Sequence, residues 1–91
     1  YSQPASYVAV AKRSPVLMRR VDRWRRQGRW EATGAAWVES DTLLACGEAL
    51  LRGFQLGQAA FVRMNGRPST VLWLPDAFGY AACIPQLLRL V

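Results

Sequence analysis

Apolar positions recur along the chain with two different periods. Leu17, Val21 and Trp24 fall at i, i+4 and i+7, the repeat of one helical face, while Arg19, Arg20, Arg23 and Arg26 mostly point elsewhere. Ser14-Pro15 supplies an N-cap and first-turn pair and Gly28 a stop, so a helix is predicted over residues 15–27. A second helical repeat, Leu50, Phe54, Gly57 and Phe61 with Leu51 beside it, predicts a helix from roughly Cys46 to Val62. On that helix Gly53 and Gly57 permit close packing against a sheet, and Glu48 and Arg52 stand four apart as a favourable surface pair. Between the helices, Trp30, Thr33, Trp37 and Val38 favour a strand, with Gly34 marking a kink or a close backbone approach. Asn65-Gly66 and Pro68 then form a turn, and Val71 to Leu74 predicts a second strand that breaks at Pro75. Ala81 to Leu88 reads as the start of a further helix. Tyr1 to Ala11, with Pro4 near its start, fits a strand tail or a short helix.

The order helix, strand, helix, strand, helix implies parallel strands with right-handed crossovers, an α/β architecture. Parallel sheets need both faces covered, and two strands with two or three helices leave most of that surface bare. Residues 1–91 are therefore expected to form one partial α/β barrel, about a third of a domain of ~250 residues, with no internal boundary. The chain opens at Tyr1-Ser2-Gln3-Pro4 without Met and stops inside an apolar helical pattern at Leu87–Val91, which reads as a piece of a longer chain. No repeat, low-complexity tract or linker interrupts it.

Composition narrows the classes. An apolar fraction of 52% in 91 residues fits a globular chain. No apolar run approaches the ~20 residues that cross a bilayer, and nothing resembles a signal peptide. The net charge of +6 comes largely from Lys12 to Arg29, where eight basic residues face one acid, Asp22. Such a block invites nucleic acid or an acidic partner. The solvated face of an amphipathic helix accounts for it too, and only Trp24 interleaves, within the buried stripe. The two cysteines, Cys46 and Cys83, lack C-x-x-C spacing; a reduced cytoplasmic pair is expected, with one disulfide as the alternative. Histidine is absent, which removes the commonest general base and the commonest zinc ligand from these residues.

Chemistry concentrates where the second strand ends. Pro75 delivers Asp76 onto a Gly-containing turn before the next helix, and ligands of α/β proteins sit at the carboxyl ends of strands. Asp76 as a turn cap is the alternative. Glu39-Ser40-Asp41-Thr42 closes the first strand in the same way, and Asp41 could serve chemistry or cap the next segment. Parallel strands would put Asp76 on the same rim as Glu39–Asp41.

The string Leu72-Trp73-Leu74-Pro75-Asp76-Ala77-Phe78-Gly79-Tyr80-Ala81-Ala82-Cys83-Ile84-Pro85-Gln86 closely resembles a segment of the glycoside hydrolase family 38 α-mannosidases. Gln27 to Asp41 resembles the family's G-R-W-E…G-G-x-W-V-E-x-D segment, and Cys46 to Arg52 its S-G-E-S-L-x-R helix start. The three segments match in order and separation from about Ser14 onward, and the likeness is greatest to bacterial-type members. Against the family pattern, Ala35 replaces the second Gly, Leu43 stands where members often have Asn, Cys46 and Ala49 replace Ser, and Gly53 replaces Gln.

The resemblance implies part of the N-terminal catalytic domain, a seven-stranded parallel α/β barrel, of a zinc-dependent retaining α-mannosidase. In its W-x-x-D-x-F-G-[HY] context, filled here by Trp73, Asp76, Phe78, Gly79 and Tyr80, the Asp is nucleophile and zinc ligand at once. That implies Asp76 for both roles, and Phe78 as an aromatic lining the sugar pocket. The other Zn2+ ligands, two His and one Asp, and the acid/base carboxylate are implied in other segments, so these residues alone are expected to be inactive. The implied partner is an α-mannoside or oligosaccharide, with no nucleic acid and no membrane, and an oligomer of the full-length enzyme is compatible with it. The alternative is a basic binding module for nucleic acid or an acidic partner.

Overall fold

The computed structural model describes residues 2–91. Four helices order the chain: α1 (Pro4–Arg13), α2 (Pro15–Arg26), α3 (Gly47–Asn65) and α4 (Ile84–Leu88). Pro4 sits at the first turn of α1, where its missing N–H costs nothing, so this end of the chain is helical; Tyr1 lies outside the described residues. Ser14 separates α1 from α2 because Pro15 excludes it from helical angles, and it sits at φ −143°, ψ 79°. Ser14 occupies the N-cap position, but its side chain makes no capping bond there. Helix α2 ends at Arg26, one residue before the predicted end, with Gln27 at the C-cap. Gly28 takes φ +69°, Gly28 N–H donates to Arg25 O at 3.0 Å, and Arg29 N–H to Trp24 O at 2.9 Å, a Schellman closure.

Helix α3 is the axis of the molecule. It buries Leu50, Phe54, Gly57, Ala60 and Phe61, the predicted face, and runs three residues past the predicted end to Gly66 at φ +74°. Phe54 and Phe61 are almost wholly buried, each contributing roughly 1.5–3 kcal/mol. Leu50 and Phe54 pack with Ala36, Leu74 and Ile84, and Phe61 packs with Tyr7, Val21 and Ala32. Leu17, expected in the α2 stripe, is half exposed instead. The Glu48–Arg52 pair forms at 2.6 Å with both side chains in solvent, where such pairs add little.

The expected parallel α/β barrel is not formed: among the described residues there is no sheet, only one isolated parallel bridge between Gly34 and Leu72. Two local causes stop the ladder. Ala36 N–H folds back onto Gly34 O at 2.7 Å across Ala35 at φ +62°, a γ-turn that bends the first segment out of strand geometry. Trp37 N–H then donates to Gly53 O of α3 at 3.0 Å, not to a strand. The second segment lies between Pro68 and Pro75, neither of which has an N–H to give. The course of the two segments survives: they share one backbone bridge, at Gly34 and Leu72, and run the same way.

The contact of residues 35–37 with α3 allows no side chain at Gly57. A Cβ there would collide with Ala35 O and lie 2.6 Å from Ala36 C, whereas a Cβ on Gly53 would meet nothing within 4 Å. Gly57→Ala is therefore expected to lower stability by about 1–3 kcal/mol. Gly53→Ala should raise it by about 0.5–1 kcal/mol through helix propensity. Urea unfolding of the two variants beside wild type reads both signs; equal effects would contradict this packing.

Candidate functional site

Both segments leave the single parallel bridge in the same direction, so residues 39–41 and 74–78 arrive at one place. Together with Gln3 they line a cavity of about 400 Å³ made by Glu39, Ser40, Asp41, Leu74, Asp76, Ala77 and Phe78. The structure thus brings Asp76 and Phe78 together with Glu39 and Asp41, the shared rim that parallel strands would have given.

Each carboxylate there is held differently. Asp41 Oδ1 accepts from Leu43 N–H at 2.9 Å and Leu44 N–H at 3.2 Å, and its carbonyl accepts from Ala45 N–H at 3.0 Å. Asp41 is a turn cap, one of the two roles open to it from sequence. Glu39 Oε2 accepts from Gln3 Nε2 at 3.0 Å, while Oε1 is shielded from solvent without a hydrogen-bond partner. Asp76 is exposed, and among the described residues nothing donates to its carboxylate. It caps no turn. Helix α4 begins well beyond it, with Cys83 at the N-cap position.

Leu74 is buried in the core and anchors one end of the Asp76 loop; Tyr80 Oη donates back to Leu74 O at 2.7 Å. The other end is held by Thr42, whose hydroxyl meets Gly79 O and Ala81 N–H. Phe78 stands out from this loop, 94% exposed. An aromatic face beside acceptor oxygens suits a sugar, whose C–H face stacks while its hydroxyls donate. The lining residues include three acids and no Lys or Arg, so an otherwise basic chain presents a negative patch here. Developing positive charge in the cavity would be stabilised.

Donor geometry limits what metal these residues can hold. Among the described residues no group of three or more His, Cys, Asp or Glu could hold a metal ion. Zinc takes three or four protein donors, so these residues do not form such a centre, and Asp76 supplies at most part of one. Cys46 and Cys83 are free and exposed, so neither the alternative disulfide nor a thiolate cluster is present. No described helix is long and apolar enough to cross a membrane.

A second polar cavity, of about 370 Å³, lies on the amino side of the bridge, among Arg25, Thr33, Asn65, Arg67 and Ser69. Its uncharged groups are spent on one another and on backbone, while Arg25 Nε is shielded there without a hydrogen-bond partner among the described residues. Ser69 Oγ bonds Thr33 Oγ1 at 2.9 Å, Gln58 clasps the Ser69 backbone, and Asn65 Nδ2 donates to Ala32 O at 2.9 Å. The basic helix face shows Arg20 over the Trp24 ring at 5.3 Å, with Trp24 stacked on Trp30. That pairing occupies the aromatic surface which a base would need.

Sequence reasoning missed Gln3 and Thr42. Their partners lie 36 to 39 residues away, and no local pattern announces such bonds.

Comparison with known proteins identifies the family. The family model of the glycosyl hydrolases family 38 N-terminal domain matches residues 1–91. The chain is 46% identical over 65 residues to "Alpha-mannosidase" of Saccharomyces cerevisiae, covering 71% of this chain and 6% of that protein. It is 38% identical over 88 residues to "Alpha-mannosidase 2C1" of Homo sapiens, covering 97% of this chain and 8% of that protein. Identity to "Alpha-mannosidase G" of Dictyostelium discoideum is also 38% over 88 residues, with the same coverage of 97% and 8%. The chain thus spans less than a tenth of the length of these curated relatives. It belongs to the glycosyl hydrolases family 38, as part of the N-terminal domain.

Proposed function

We propose that residues 1–91 carry the nucleophile loop of a retaining α-mannosidase that hydrolyses terminal α-D-mannosides, with Asp76 as the nucleophile. The observation that carries this reading is the Asp76 carboxylate itself. Among the described residues it has no partner, it lies on a loop fixed at both ends, and it shares a cavity with an exposed aromatic ring and no basic side chain. Kinship with proteins named α-mannosidases supplies the substrate class.

In this mechanism an Asp76 oxygen bonds to the anomeric carbon as the glycosidic C–O bond breaks. The electron pair leaves with the aglycone oxygen, which takes a proton from an acid in another segment of the protein. Water then attacks the same carbon, its proton passing to that acid, and the Asp76 carboxylate is released. Two inversions give net retention. The negative lining would stabilise the positive charge of the oxocarbenium-like transition state. Phe78 would stack on the sugar face and orient it toward Asp76. Zinc belongs to the same proposal as a cofactor whose donors come mostly from other parts of the full-length protein, Asp76 contributing one carboxylate. A cytoplasmic setting fits the two free, exposed thiols.

In the full-length enzyme Asp76→Ala is expected to lower kcat by several orders of magnitude with the thermal midpoint little changed, because an exposed loop carboxylate adds little to packing. Asp76→Asn keeps the shape, loses the attacking charge, and should be impaired almost as far. Hydrolysis of an aryl α-mannoside measures both, and wild-type turnover by Asp76→Asn would overturn the mechanism. Residues 1–91 by themselves should bind zinc only weakly, since one donor does not make a site. Isothermal titration giving tight one-to-one binding to this chain would contradict that expectation.

A further inference from the structure

Thr42 is a polar side chain buried inside the molecule, at 3% exposure. Its neighbour Asp41 sets the turn that carries it, by accepting from the Leu43 and Leu44 N–H groups. From that turn the Thr42 hydroxyl reaches across to the Asp76 loop. It donates to Gly79 O at 3.3 Å and accepts from Ala81 N–H at 3.0 Å, so both hydrogen-bonding faces of one oxygen are used on one short stretch of backbone. Leu43, the next residue, covers the same stretch from outside. Gly79 has φ +147°, and a Cβ on it would lie 2.9 Å from Leu43 Cδ1, so the loop is pressed against the turn where it has no side chain. Among the described residues the Asp76 carboxylate has no partner of its own. Its position is therefore inherited from the ends of its loop, Leu74 in the core and Gly79–Ala81 at the Thr42 grip.

We infer that Thr42 is a positioning residue for the nucleophile: its hydroxyl, bridging Gly79 O and Ala81 N–H, holds the Asp76–Phe78 loop at the distance that attack on the sugar requires. This rests on the assignment of Asp76 as nucleophile. Thr42 touches no substrate; it acts through the loop. A valine at this position has nearly the same shape but no oxygen, and would leave both loop groups unpaired and the loop free to shift. A displacement of about 1 Å at a reacting group lowers turnover by up to about 100-fold, with a smaller effect on binding.

The test uses the full-length enzyme and an aryl α-mannoside, with kcat and KM measured for Thr42→Val, Thr42→Ser, Leu43→Ala and Asp76→Asn. Thr42→Val is expected to lose about 10–100-fold in kcat with KM within about twofold of wild type, and Thr42→Ser, which restores the oxygen, to stay within about threefold in kcat. A merely structural role would lower the amount of folded enzyme and the thermal midpoint, but not kcat per folded molecule. Leu43→Ala loosens the same grip from an exposed position and should lose about 3–10-fold in kcat, which keeps the inference testable if Thr42→Val fails to fold. Wild-type kcat in Thr42→Val and Leu43→Ala beside an inactive Asp76→Asn overturns the positioning role alone. So does a Thr42→Ser enzyme as slow as Thr42→Val. An active Asp76→Asn overturns the nucleophile assignment, and the positioning role with it.

Discussion

The backbone of residues 35–37 crosses helix α3 at Gly53 and Gly57, and the remaining structure depends on that crossing. The Trp37 peptide is tied at both ends: its N–H donates to Gly53 O of α3, and its carbonyl accepts from Ala5 N–H at the start of α1. One residue therefore fixes the first helix against the third. Approach this close is open only where α3 has no Cβ, which Gly57 provides. Ala35 must sit at φ +62° for the chain to turn onto the helix, a conformation costing an alanine roughly 1–2 kcal/mol. Burial of Ala35 and Ala36 in the core offsets that strain. The glycine of the family pattern at this position would adopt the same angle without strain, which gives that departure from the pattern a physical meaning.

The same crossing decides what the site can be. Bending at Gly34 and Ala35 leaves one bridge to Leu72 and no ladder, yet that bridge is enough to send residues 39–41 and 74–78 toward one cavity. There the acids divide their work. Asp41 is consumed by its turn, Glu39 is held through one oxygen by Gln3, and Asp76 is left without a partner among the described residues. A carboxylate without partners is poised to react or to bind, whereas one already bonded to backbone N–H groups would have to break those bonds first. The charge pattern sharpens the contrast. Basic residues crowd α2, far along the chain, and leave the cavity without a Lys or Arg in its lining.

Much of this was legible in the sequence, in proportion to how local its cause is. Helices α2 and α3 are set by Pro15, Gly28 and the Leu50–Phe54–Phe61 repeat, and the close approach at Gly34 and Gly57 by missing side chains. The strands failed because β propensity at Trp30, Trp37 and Val71 describes residues that suit a sheet, while a sheet also needs partners on both sides. The backbone N–H of Trp37 found a helix carbonyl instead. Asp76 and Phe78 stood out through the motif around them. Thr42 and Gln3 did not, because a hydroxyl or amide reaching across more than thirty residues leaves no trace in spacing.

If the unpartnered Asp76 carboxylate forms the bond to the sugar, that bond can be trapped. The most direct measurement is covalent labelling of the full-length enzyme with a slow fluorinated mannoside, followed by proteolysis and peptide mass spectrometry. A mannosyl ester is predicted on the peptide holding Asp76, formed with one equivalent of sugar as activity is lost. A label on Glu39 or Asp41 would contradict it.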